Sequence, residues 1–373
     1  MNEDKATRYH RLRRLASLSE TALAAAWLLL LLVTGWSTSL RDLAATMAGE
    51  SFSLTVIGYV VLVALLSEAL QLPLAFYQGL VLERRYELST QTTARWWLDH
   101  VKAGGVALLF AVAGALIVWS LLRWTPEYWW LVAALCFASM LVLLAQLAPV
   151  LLLPLFYTFK PLDRPALAER LVALAERAGA RVIGVFEWRL SDRTRKANAA
   201  LTGIGRTRRI LLSDTLLAEH SDDEIEVVLA HELAHHVHHD LWKAMALEAV
   251  LMTLGFYLAD RVLGAAVGHF GLAAKDDVAG LPLLVMASGA VSLALLPLAN
   301  AVSRAHERHA DRYALDMTRN AEAFASAMKR LAAQNLAEER PSRLVEILFY
   351  SHPPITARLE AARVWESARA FEK

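Results

Sequence analysis

The sequence predicts a mainly α-helical membrane protein, with about six transmembrane helices and a water-facing α+β domain holding a small β-sheet. Three observations carry this. The 373-residue chain is 56% hydrophobic with a mean hydropathy of +0.37, well above the usual soluble composition. Six apolar runs are long enough to cross a bilayer. Between the fourth and the fifth, residues 160–240 turn charged and carry short strand-like and helix-like patterns. A net charge of +1 gives no sign of nucleic-acid binding. Cys136 is the only cysteine, so neither an intrachain disulfide nor a thiolate metal site can form. Any metal must be held by histidine and carboxylate.

The first span is the uncharged run at 21–40, preceded by Lys5, Arg8, Arg11, Arg13 and Arg14. A basic start before an apolar run is also the form of a signal peptide, with a weak cleavage candidate at 37–39, but this run is long for a signal. The second span, 51–82, contains Glu68, Gln71, Pro73 and Gln78. A charge at such a position faces protein or a wet cavity; Glu68 serves either function or a hydrogen bond between helices. The third span is 103–122. The fourth is apolar from 128 to 159, with Pro149 and Pro154 placed to end or bend it. Trp119, Trp124, Trp129 and Trp130 surround the loop between these two, as an interfacial belt or as core aromatics in need of partners.

Within the charged segment, 165–179 reads as an amphipathic helix. Residues 182–188, 197–204 and 209–212 read as strands, the last two joined by a turn at 205–208. The fifth span, 242–267, is interrupted by Glu248, Asp260 and Arg261, whereas the sixth, 278–303, is uncharged. The tail from Arg304 is polar and helical, apart from Ser351-His352-Pro353-Pro354. Four segments follow: a membrane domain at 1–159, a first water-facing part at 160–240, a transmembrane hairpin at 241–303, and a second water-facing part at 304–373.

Lysine and arginine gather before the first span, between the second and third, after the fourth and after the sixth. The positive-inside rule therefore places the termini and the water-facing domain in the cytoplasm. The Ala- and Arg-rich composition points to a bacterial inner membrane.

The chemistry centres on His231-Glu232-Leu233-Ala234-His235, an H-E-x-x-H motif. On a helix, residues four apart share a face, so both imidazoles can reach one ion. Glu232 then sits beside the ion, placed to take a proton from water. Ser221-Asp222-Asp223-Glu224 reads as the helix start, with a capping box. A catalytic zinc needs a third protein ligand. His236 lies about 100° around the helix and points away. His238 and His239 lie further on, beside Trp242, and read as interfacial or solvated. Glu307 is the better candidate. Glu307 and Asp311 are four apart, so Asp311 could accept the free N–H of a ligating histidine. The other reading is a solvated charged helix, with Arg304, Arg308 and Arg312 as partners. Glu307 follows closely on the sixth span and His235 closely precedes the fifth, so both lie at one membrane face.

Taken together, H-E-x-x-H, Glu307-x-x-Ala310-Asp311 after a transmembrane hairpin, and Ser351-His352-Pro353-Pro354 resemble the integral-membrane zinc metalloproteases of the CAAX prenyl endopeptidase (type I) family. So do 82–88, 148–162, Asn198-Ala199 and 209–217. The resemblance covers nearly the whole chain. It implies a zincin-like protease domain with one Zn2+ on His231, His235 and Glu307. It implies Glu232 as catalytic base, with Asn198, His352 and Arg358 around the substrate and the tetrahedral intermediate. The family usually has seven spans around a chamber; this chain lacks the first, and Ala200 stands where the family often has an aromatic residue. The implied substrate is a peptide or protein at the membrane. It is either a prenylated C-terminal peptide or an unfolded membrane protein, held as a strand beside 197–204. The competing class is a non-catalytic scaffold or transporter with structural histidines, which leaves Glu232 without a role.

Overall fold

The computed structural model describes residues 4–49, 51–203 and 207–370. Six of its helices are long and apolar enough to cross a membrane: Lys5–Val33, Phe52–Arg85, Thr93–Trp124, Trp129–Phe156, Asp240–Ala266 and Val278–Thr318.

The first, α1 (Lys5–Val33), is shorter at its apolar end than the 21–40 run implies. Gly35 adopts a left-handed φ of 76° and breaks the helix. The rest of the run enters α2 (Trp36–Ala48), whose 13 residues are too few to span a bilayer. The second span is α3 (Phe52–Phe76), a π-helical stretch at 77–82, and the short α4 (Glu83–Arg85). The third is α5 (Thr93–Trp124). The fourth is α6 (Trp129–Leu147), which passes through a second π-helical stretch at Pro149 into α7 (Leu153–Phe156). Proline lacks an N–H for the helix ladder, which accounts for the distortion there.

Trp119 and Trp129 are fully buried, while Trp124 is exposed. Trp129 therefore belongs to the core, and its Nε1 donates to Asp260 of the fifth span at 2.7 Å. Glu68 Oε1 lies 2.6 Å from His100 Nε2, and the His100 ring stacks on Trp96. Glu68 thus has a partner on a neighbouring span.

A four-stranded sheet follows, in the order β1-β2-β4-β3. It comprises β1 (Phe159–Pro161), β2 (Val185–Trp188), β3 (Ala199–Thr202) and β4 (Arg209–Ser213). The first, β1, was not legible in the sequence. It pairs antiparallel to β2; β2 and β4 are parallel, and β3 and β4 antiparallel. Ala199 faces Leu212 and Leu201 faces Ile210, which leaves β3 at the sheet edge. Ile204 and the turn residues Gly205 and Arg206 lie outside the described residues. Gly203 just before them has φ +88°, and a Cβ there would stand 2.6 Å from the Thr207 carbonyl oxygen. Only glycine fits this turn.

Helices α8 (Pro165–Arg177), α9 (Asp214–Glu219) and α10 (Asp222–Val237) pack around the sheet. The fifth span is α11 (Asp240–Ala266), and the sixth is α12 (Leu281–Thr318). α12 does not stop at the membrane boundary. It runs on for 38 residues in all and carries its last turns into the core of the water-facing domain, where Ala314 and Leu315 are buried. Helices α13 (Ala321–Gln334), α14 (Arg343–Phe349) and α15 (Ile355–Ala370) complete the chain. One apolar cluster joins Leu171, Ile210, Ile225, Leu229, Phe324 and Ala362, and a separate one joins the spans through Leu31, Tyr59, Trp119, Trp129 and Phe256.

A metal-ligand triad at the mouth of the membrane domain

The site is built on α10. Its start is fixed by the expected capping box: the Glu224 amide donates to Ser221 Oγ, and Glu224 Oε2 accepts from the Ser221 amide at 2.8 Å. Leu229, Ala230, Leu233 and Ala234 are fully buried, so the helix cannot rotate without exposing its core face. That fixed face presents His231 and His235 to α12. There Glu307 and Asp311, four residues apart, are only 6% and 3% exposed. The solvated charged helix is thereby set aside.

His231 Nε2 lies 3.2 Å from Glu307 Oε2, and His235 Nε2 lies 3.4 Å from Glu307 Oε1. The three residues each offer one ligand atom, all within 4.8 Å of one another. Ligands about 2.0–2.2 Å from a tetrahedral ion are themselves about 3.3–3.6 Å apart, and the two histidine–carboxylate distances fall close to that range. Apart from His231 Nε2, buried Glu307 Oε2 has no hydrogen-bond partner among the described residues, and a cation at the triad would satisfy it. Burial opposes a charged imidazole at His231 and His235, yet the Asp311, Glu307 and Asp240 carboxylates outweigh it and raise both pKa values. The pocket's field therefore favours positive charge, and the donor set fits a divalent ion.

Each histidine is oriented from behind. His231 Nδ1 faces Asp311 Oδ1 at 3.0 Å, which leaves Nε2 free for the ion. Asp311 is held in turn by Arg358, whose Nε donates to Oδ2 at 2.8 Å and whose Nη2 donates to Oδ1. His235 Nδ1 faces Asp240 Oδ2 at 3.1 Å. Asp240 went unnoticed in the sequence because it is five residues from His235, a spacing that faces away on a continuous helix. The helix is not continuous: His238 caps α10, and His239, with φ 56°, turns the chain into α11. The signal available was the break itself, a polar His-His-Asp between two apolar helices.

Glu232 has no ion-pair partner among the described residues, and burial raises its carboxyl pKa. It lines a cleft of about 230 Å³ together with His235, Arg208, Trp242, and Leu201 and Gly203 of the β3 end. Asn198 stands exposed just before β3, its backbone paired with Ser213. His352 Nε2 is 3.4 Å from Glu307 Oε1, with 60% of its side chain exposed. His238 packs against His309 and Tyr313, and His239 lies at the cleft rim; neither belongs to the triad.

Six apolar membrane-length helices, a His-His-Glu triad and a matching peptidase profile define a membrane-embedded metalloprotease. More particularly, the chain belongs to Peptidase family M48: residues 161–366 match that family's profile, and residues 2–158 match the profile "CAAX prenyl protease N-terminal, five membrane helices". It is 33% identical to the uncharacterized metalloprotease YhfN of Bacillus subtilis (strain 168), over 91% of this chain and 80% of the relative. It is 28% identical to CAAX prenyl protease 1 of Saccharomyces cerevisiae, over 80% of this chain and 70% of the relative. The crystal structure of S. mikatae Ste24p shares its fold, with a TM-score of 0.87 at 24% identity, covering 96% of this chain and 88% of that one.

Proposed function

We propose that the protein is a zinc endopeptidase that cuts extended peptide at the cytoplasmic face of a bacterial inner membrane. The observation that carries this is the placement of Glu232 beside the triad, with Glu232 and the triad's His235 lining one cleft together with Leu201 and Gly203 at the end of the edge strand β3. His231, His235 and Glu307 would hold the ion. When bound, zinc supplies a Lewis acid and lets water lose a proton near neutral pH. Glu232 takes that proton and later delivers it to the leaving amine. Its burial-raised pKa suits both halves of the transfer. The substrate backbone adds to β3, with Asn198 at its end. His352 donates toward the carbonyl oxygen as negative charge develops there, and Arg358 adds positive potential while it holds Asp311.

The four-part division at 1–159, 160–240, 241–303 and 304–373 goes with this reading. Its support is that one apolar cluster draws only on 160–240 and 304–373 and the other only on 1–159 and 241–303. The charge asymmetry supports cytoplasmic termini. Accessible cysteines at Arg181 and Glu127, each in a Cys136→Ser chain, test the orientation. An impermeant reagent outside intact cells should label only the Glu127→Cys chain; labelling of Arg181→Cys alone reverses it.

Two substrates fit: unfolded membrane protein, which we favour, and a prenylated C-terminal peptide, suggested by the likeness to yeast CAAX prenyl protease 1. Purified protein should cut matched peptides with and without a prenyl group at similar kcat/KM. Cleavage of the prenylated peptide alone would make the lipid the recognised feature.

A further inference from the structure

The lead-in to β3 and the His352 turn, the two substrate-side elements of the proposed site, are both held from the first turns of α1. Lys196, two residues before Asn198, places Nζ 2.8 Å from Glu83 Oε2 at the end of the second span. The same Nζ donates to the Tyr9 hydroxyl at 3.2 Å, and that hydroxyl donates to Glu83. Tyr9 and Leu82 are fully buried and, with Tyr86, Leu88 and Leu336, form an apolar cluster separate from the two main cores.

The next residue is clasped from the other side. The Ala197 amide donates to Asn335 Oδ1 at 2.9 Å, and its carbonyl accepts from Asn335 Nδ2 at 3.3 Å. Leu336 then has φ +53°, which leucine adopts only where its surroundings hold it. Its side chain packs in the Tyr9 cluster, and its carbonyl lies 2.9 Å from His10 Nε2.

A second set of contacts leads to His352. Arg14 Nη1 donates to Glu338 Oε2 at 2.7 Å and to the Tyr350 hydroxyl at 3.2 Å. That hydroxyl donates to Glu338, which is buried, at 2.5 Å. The Tyr350 carbonyl accepts from Arg304 Nη1 at 2.6 Å, and His352 follows two residues later. Among the described residues, neither set touches His231, His235 or Glu307.

We infer that Tyr9, Arg14 and Lys196 are positioning residues. They tie the substrate strand and the His352 turn to the first membrane helix, so the placement of α1 sets substrate engagement and leaves metal binding alone. This rests on the proteolytic reading above. The full chain in lipid nanodiscs is compared as Lys196→Met and Arg14→Met, with Lys196→Arg and Arg14→Lys as conservative partners. Tyr9→Phe, which removes only a hydroxyl, serves if Lys196→Met does not fold.

Bound zinc should hold, while Arg14→Met should also lower the thermal midpoint because buried Glu338 loses its cation. Lys196→Met should raise KM and Arg14→Met should lower kcat, each roughly ten- to hundred-fold, the scale of a small misplacement of reacting groups. The conservative partners should recover most of each loss. Hydrogen exchange should rise at 198–202 in Lys196→Met and at 350–352 in Arg14→Met. Zinc loss, or unchanged kinetics and exchange, overturns the inference. If the unmodified protein cleaves nothing, the proteolytic reading fails by itself, and the exchange measurement still decides this one.

Discussion

Asp311→Asn isolates how the triad is supported. Asp311 joins two buried groups, accepting from His231 Nδ1 at 3.0 Å and from both ends of the Arg358 guanidinium. Asparagine keeps the shape, but removes the charge and can turn its NH2 toward the ring. Loss of such an outer partner weakens metal affinity about ten- to hundred-fold, or ~1.4–2.7 kcal/mol. A second cost falls on Arg358, whose side chain is 11% exposed and whose only hydrogen-bonded carboxylate among the described residues is Asp311. Breaking a buried pair from one side costs about 3–5 kcal/mol. The charges of Glu307 and Glu232 also act on Arg358, so the lower end is expected. Chelator competition reads the first quantity, and thermal unfolding of metal-free protein reads the second. The double variant Asp311→Asn with Arg358→Met should be less destabilised than the sum of its parts, because the stranded charge is gone. Unchanged zinc affinity in Asp311→Asn, or strict additivity in the cycle, refutes the reasoning.

Glu307→Ala should abolish stoichiometric zinc, whereas His238→Ala with His239→Ala should retain it; elemental analysis decides, and the opposite pattern would move the site onto one helix. Asp240→Asn should weaken zinc about ten-fold through His235, as the family of outer-partner losses predicts, and an unchanged chelator competition curve would show that the 3.1 Å contact is idle. Zinc removal should lower the thermal midpoint, since an ion bound only by the folded state at a hundred times its Kd adds about 2.7 kcal/mol; a midpoint indifferent to zinc would mean the triad holds none.

The sequence made the spans legible because bilayer thickness imposes a length on every apolar run. Spacing of i, i+4 made His231, His235, Glu307 and Asp311 candidates, but left Glu307 level with a solvated charged helix, and the family resemblance was what implied the full triad. What failed to show depended on chain breaks. The end of α1 turned on the left-handed Gly35 inside an uncharged run, a change that hydropathy does not register. Asp240 reached His235 only because His239 interrupts the helix between them. β1 is three residues long and follows directly on a membrane helix, so no period of two could emerge. The buried Trp129 looked like a belt residue because its partner, Asp260, lies 131 positions away and itself looked like a flaw in the fifth span.

The most direct test of the account is zinc content and peptide cleavage measured on the same preparations of the unmodified protein and of Glu232→Gln. The account predicts about one zinc per chain in both, with cleavage by the first and none by the second. Full cleavage by Glu232→Gln with its zinc in place would contradict the assignment of Glu232 as the base, and with it the hydrolytic mechanism.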